Sequence, residues 1–291
     1  MHLILRLISF IPLKILHPLG GLIGTMVWLC SETYRRHMAE NLRLAGYDPK
    51  ACVPKVRREL GMQSLETAWI WDRPWSSLSK HVRATPEAEA LITRALQSGR
   101  PILFLTPHVG SFEVTPVWLA RKHLDGTSRY MAILYRIPKK AFLRRLVLEG
   151  RETPGIVPAP ADLSGVRTLF RAFRTKQIVG VLPDQTPSKG EGVWAPFFGR
   201  PAYTMTLPLR LAKQFDALKI VAWGRRIDGW GWEVGARLWD EPLTGDLLKD
   251  AGLMNRQLEE VIRQFPEQYL WSYNRYKRPA GAKGPDEEES R

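Results

Sequence analysis

"PILFLTPHVGSFEVTP", residues 101–116, decides how the rest of the chain is read. Ile102, Leu103, Phe104 and Leu105 form a short apolar run that reads as a buried strand, and Pro107 ends it because proline cannot donate to a β ladder. His108 therefore stands just past a strand end. Gly110 permits a sharp bend, and Ser111 is placed to cap a helix running to about Lys122. Glu113 then falls in the first helical turn, where backbone dipoles favour a carboxylate. From there its side chain is expected to fold back onto one imidazole nitrogen. That contact would fix the tautomer, steady the imidazolium and leave the other nitrogen for a substrate hydroxyl.

Beyond this stretch the same alternation continues. "RYMAILY" (129–135), "GIVPA" (155–159) and "IVGVL" (178–182) read as strands, and "KIVAWGRRI" (219–227) and "WEVGARLW" (232–239) as two more joined by "DGWG". Between and after them lie the helical patterns 139–150, 163–176 with Asp162 as cap, 206–215 and 246–265, with a Gly/Pro-rich loop at 186–203. Strand alternating with helix implies an α/β fold: a mixed, mostly parallel sheet flanked by helices. In such sheets ligands bind beyond the carboxyl ends of the strands. His108 occupies one such end, and Asp184 with Gln185, after "IVGVL", occupies another.

Residues 1–92 read as helical, punctuated by Pro12, Pro18, Pro49, Pro54, Pro74 and Pro86, and are expected to form a membrane-associating region. The first thirty residues are mostly apolar but interrupted by Arg6, Lys14 and His17. Their longest nearly uncharged run, 15–30, is shorter than the ~20 residues of a spanning helix. No small-residue cleavage site follows it, so an interfacial segment is expected before a clean span. Arg35 and Arg36 come next and favour a cytoplasmic position. "WIWDRPW" places Trp69, Trp71 and Trp75 together, as at a membrane interface, a ligand groove or a packed core. Residues 93–279 then form the α/β domain, and the tail 280–291, with nothing apolar larger than alanine, is expected to be disordered.

The chain has 291 residues and a formal net charge of +14, which points to an anionic partner: nucleic acid, a membrane surface or a phosphorylated substrate. No RNP, KH or zinc-finger pattern accompanies the charge, which argues against nucleic acid. Two cysteines and six scattered histidines give neither a disulfide framework nor metal-ligand spacing. There is no G-x-S-x-G elbow, no Walker motif and no dinucleotide fingerprint. A histidine–carboxylate pair without a nucleophile suits direct general-base catalysis, in which a deprotonated hydroxyl attacks an activated acyl carbon.

"TPHVGSFE" resembles the HX4(D/E) box of glycerolipid-type acyltransferases, and the chain from about residue 3 to 279 resembles the late acyltransferases of lipid A biosynthesis. "RRHMAENLRLAG", "LYRIPKKAFLRRLVLEGR", "GVLPDQTPSKGEGVWAPFFGRPA" and "PEQYLWSYNRYKRP" resemble further blocks of that family in order and spacing. The resemblance implies transfer of an acyl chain from acyl-carrier protein to a hydroxyl of a lipid A precursor, with no cofactor, at the cytoplasmic face of the inner membrane. It implies His108 as base with Glu113 as its carboxylate partner, Arg136 and Arg151 as contacts to acyl or phosphate groups, and Asp184 and Gln185 lining the cleft. The terminal segment has "WSYNRYK" where many relatives carry Trp-x-His-Arg-Arg, so no role is assigned there. Other lipid acceptors remain open at this point: a phosphoinositide mannoside, a lysophospholipid or an amino-acid lipid. So does a lipid carrier without catalysis.

Overall fold

The computed structural model describes residues 2–136 and 153–285. Its centre is a seven-stranded sheet of order β1-β9-β8-β2-β5-β3-β4. The strands are β1 (Val82–Ala84), β2 (Ile102–Leu105), β3 (Met131–Tyr135), β4 (Ile156–Pro160), β5 (Ile178–Val181), β8 (Leu218–Ile227) and β9 (Gly231–Trp239). From β8 through β2, β5, β3 and β4 every pairing is parallel; β9 turns back antiparallel on β8, and β1 lies parallel to β9. The expected mixed, mostly parallel sheet is what forms. β2 and β5 are buried at every position, so they read as unbroken apolar runs rather than alternating ones.

Each face of the sheet carries its own apolar layer. Leu103, Leu105, Val179 and Val181 point into the layer covered by α8 (Leu163–Arg174), α9 (Leu207–Gln214) and α10 (Leu247–Gln264). Ile102, Phe104, Ile178 and Ile220 point to the other, with α6 (Pro86–Gln97) and α7 (Val114–Leu119). Asp162 caps α8 as its sequence implies, accepting from the amides of Ser164 and Gly165 at 2.8 and 3.1 Å.

The amino-terminal part is a set of helices: α1 (His2–Phe10), α2 (Leu13–Cys30), α3 (Glu32–Leu44), α4 (Pro49–Asp72) and the short α5 (Trp75–Leu78). α2 is long and apolar enough to cross a membrane by length and composition. It lies against α4 with almost no gap. A Cβ on Gly61 would stand 2.1 Å from the carbonyl oxygen of Gly20, and one on Gly24 would stand 2.0 Å from that of Arg57. Only glycines allow the two backbones so close.

Three expectations are corrected. β1 lies inside the stretch read as wholly helical and forms the edge of the main sheet; three residues are too few to show a period. The expected loop 186–203 holds most of an antiparallel hairpin, β6 (Gly192–Phe197) and β7 (Arg200–Met205), in which Pro196 faces Pro201. Proline is tolerated there because the hairpin stands apart from the main sheet. Finally, the first part of the tail is anchored: the Trp194 indole donates to the Lys283 carbonyl at 3.0 Å, and Ala282 is buried. Residues 286–291, and the helix expected at 139–150, lie outside the described residues.

Candidate active site

β2 and β5 run side by side with Leu105 opposite Val181. Each strand is followed by one residue, a proline and then a polar side chain: Thr106-Pro107-His108 and Leu182-Pro183-Asp184. The same offset past two in-register strand ends brings the polar residues together. Asp184 Oδ1 lies 2.7 Å from His108 Nδ1, and Oδ2 accepts the His108 backbone N–H at 2.9 Å. A carboxylate at Nδ1 accepts, so that nitrogen carries the hydrogen and Nε2 carries the lone pair. The Gln185 side-chain amide donates to Nε2 at 3.1 Å. The imidazole also packs edge-on against Phe112, with centroids 4.6 Å apart.

Asp184 is buried, and burial pushes its carboxyl pKa up. The charge of His108, the two hydrogen bonds from that residue and the nearby Arg275 guanidinium outweigh burial and hold the group below the usual carboxylate range. Tyr269 stands next to the same carboxylate; burial, together with that charge, raises its phenol well above normal. Arg275 is itself buried, donating to the Tyr203 carbonyl and the Thr204 hydroxyl at 2.8 Å each. Burial pulls its pKa down.

The loop carrying His108 is fastened on three sides. The Gly110 N–H donates to the Gln268 carbonyl at 2.9 Å, and its own carbonyl accepts from the Gln63 amide at 2.6 Å. The Ser111 N–H donates to the Gly224 carbonyl on β8 at 2.8 Å. Gly110 has φ +57°, and a Cβ there would stand 2.1 Å from the Gly224 oxygen. Ser111 is thus engaged with β8 rather than capping a helix. α7 begins later than expected, at Val114, and its end widens into a π-helical turn at Ala120–Leu124.

Glu113 is buried beside this loop but does not take the place expected of it. Its carboxylate accepts from the Trp71 indole of α4 at 3.2 Å, whereas the His108 ring is hydrogen-bonded to Asp184 and Gln185. Sequence proximity suggested Glu113; strand register supplied Asp184. Glu113 instead lines a small apolar recess of about 20 Å³ whose walls include Phe112, Pro116, Ile133, Gly180 and Leu182.

Gln185 and Asp184 therefore meet His108 directly. Arg136, exposed at the end of β3, reaches the rim by donating to the Thr186 carbonyl at 3.3 Å. Arg151, together with the Arg144–Arg145 pair, lies outside the described residues. Tyr269, Arg275 and Gln268 were not foreseen as parts of the site. Their only sequence signal is a crowding of aromatic and polar residues after the last helix, and nothing local ties it to Asp184.

A strand-end imidazole held by a buried acid is an arrangement suited to an enzyme, and similarity to known proteins gives its class as acyltransferase. The profile of the family described as bacterial lipid A biosynthesis acyltransferase matches residues 1–278, and the chain belongs to that family. It is 25% identical over 281 residues to the lipid A biosynthesis palmitoleoyltransferase of Escherichia coli K12, covering 93% of this chain and 88% of that protein. It is 25% identical over 296 residues to the lauroyltransferase of the same organism, covering 96% and 90%. A lipid A biosynthesis acyltransferase of Haemophilus influenzae is 23% identical over 283 residues, covering 92% and 83%.

Proposed function

We propose that the protein transfers a fatty acyl chain from acyl-carrier protein to a hydroxyl of a lipid A precursor at the cytoplasmic face of the inner membrane. The observation that carries this reading is the His108–Asp184 pair, with a base nitrogen that, among the described residues, meets a displaceable amide. His108 Nε2 accepts the proton of the acceptor hydroxyl as its oxygen attacks the thioester carbonyl. The tetrahedral intermediate collapses with cleavage of the carbon–sulfur bond, and the imidazolium returns the proton to the departing thiolate. Asp184 keeps the ring in the required tautomer and stabilises its cationic form. The Gln185 amide, once displaced from Nε2, is within reach of the developing oxyanion. Glu113 borders the apolar recess beside the His108 loop, and Arg136 and Arg151 meet acyl or phosphate oxygens. The basic chain suits both an acidic carrier protein and a phosphorylated glycolipid.

Mass spectrometry of lipid A from cells with and without the gene tests the reading. The expected result is loss of one acyl mass, restored by the intact chain but not by His108→Ala. General-base transfer contributes about 10²–10⁴-fold, so purified His108→Ala should fall by that factor while still binding lipid. Unchanged lipid A with an acyl shift in another lipid would overturn the acceptor. Full turnover by His108→Ala would overturn the mechanism.

A further inference from the structure

The apolar helix α2 has two unlike faces. Leu13, Leu16, His17, Gly20, Gly21 and Gly24 are buried against the protein. Ile15, Leu19, Leu22, Met26 and Leu29 recur at helical spacing on the opposite side, and all are exposed, from 40% at Leu19 to 60% at Leu29. Leu7 and Phe10 of α1 are exposed as well. No charge falls within the stripe, while exposed Arg6 and Lys14 each stand one position before a member of this apolar set. An uncharged stripe edged by cations, on a chain of net charge +14, complements an anionic lipid surface.

The buried face fixes how that surface is met. His17 Nε2 lies 2.8 Å from Glu66, which accepts from Arg226 at 2.5 and 2.8 Å; all three side chains are buried. His17 Nδ1 accepts the Gly229 N–H at 2.9 Å. The chain before α2 is tied to α4 and its C-cap too: the Trp69 indole donates to the Ile11 carbonyl in the linker at 3.1 Å, and Arg73, just past α4, donates to the Ser9 carbonyl of α1 at 2.8 Å. For α2 to cross a bilayer alone it would have to uncover this ion cluster. It cannot cross together with α4, which carries Lys50, Lys55, Arg57, Arg58, Glu59 and Glu66.

We infer that α2 does not span the membrane but lies along one leaflet, its stripe sunk into an anionic bilayer and both of its ends on the same side. Among the described residues, α4 would then form the layer between lipid and the site. Its Gly61 packs on α2, while Gln63 and Trp71 reach the His108 loop and Glu113. An acceptor anchored in that leaflet would meet the cleft without leaving the lipid. This deepens the membrane location proposed above, but its tests read topology and binding, with no acyl transfer involved.

The test uses the full chain in a Cys52→Ser background, with native Cys30 or with Arg6→Cys, Cys30→Ser, and a membrane-impermeant maleimide on intact spheroplasts and after detergent lysis. The expected result is that both positions share one sidedness, whichever side it is, and both react after lysis. Labelling of one position but not the other in intact spheroplasts would overturn the inference. In parallel, Leu19→Glu/Met26→Glu, confirmed as folded by circular dichroism, should lower affinity for phosphatidylglycerol-containing vesicles at least about tenfold in flotation. Unchanged flotation would overturn it. So would a lipid-free dimer of the unaltered chain that this double variant dissolves, because the stripe would then pair two copies.

Discussion

Two buried ionic clusters, one around Arg226 and one around His108, differ in how completely they are satisfied. Around Arg226 the guanidinium donates to Glu66 twice and to Glu59, and Glu66 also meets His17. Around His108 the acid accepts from the ring and a backbone amide with Tyr269 alongside, whereas among the described residues Nε2 meets a single side-chain amide. A closed cluster holds elements together. A cluster left open at one atom can exchange its last partner for a substrate. Burial alone does not tell the two apart, since Glu66 and Asp184 are both nearly inaccessible.

The sharpest break in this comparison is Asp184→Asn. The carboxamide cannot accept from both the ring N–H and the His108 backbone N–H, and an amide hydrogen aimed at Nδ1 would move the ring hydrogen to Nε2. Turnover per folded molecule should fall about 10²–10⁴-fold, as steady-state kinetics would show, with calorimetry confirming that the variant folds. Near-normal turnover would leave Asp184 as a structural acid.

Glu66→Gln should show the reverse pattern. Removing one partner of a buried pair leaves Arg226 under-compensated, at a cost of about 3–5 kcal/mol in denaturant unfolding, while turnover per folded molecule is largely kept. The pH dependence has a defined sign. Burial pushes the Glu66 carboxyl up, but Arg226 and His17 prevail and hold it at about 2. The folded value is below the unfolded value of about 4.3, so this stabilisation is complete above that pH and is lost as pH falls towards about 2. The gap between Glu66→Gln and the unaltered chain should therefore close over that window. Glu59 moves the other way: it shares one Arg226 nitrogen, and its burial outweighs that attraction.

The smallest effect is expected at the seam. Gly61→Ala forces a methyl group against the Gly20 carbonyl and should cost roughly 1–3 kcal/mol in unfolding experiments. A change of sign would mean that α2 is not seated on α4 as described.

The strands were legible because β2, β3 and β5 are short apolar runs bounded by proline, glycine or polar residues. His108 and Asp184 were legible as two strand ends on one crevice. Their pairing was not, because it depends on the register of β2 with β5, while the eye favours an acid five positions along. The β6–β7 hairpin was hidden by the very residues, Gly192, Pro196, Gly199 and Pro201, that usually mark a loop. The contribution of 268–275 was invisible for the same reason as Asp184: its partners lie far away in the chain.

That last segment has a consequence for how the enzyme comes into being. The Leu270 N–H bonds the His108 carbonyl, the Tyr273 hydroxyl accepts the Thr186 N–H, and the Thr186 hydroxyl donates to the Arg275 carbonyl. The acid beside His108 gains Tyr269 and Arg275 only when residues 268–275 dock against the sheet. Docking of this segment is thus what completes the surroundings of the catalytic acid, however early the strands themselves come together.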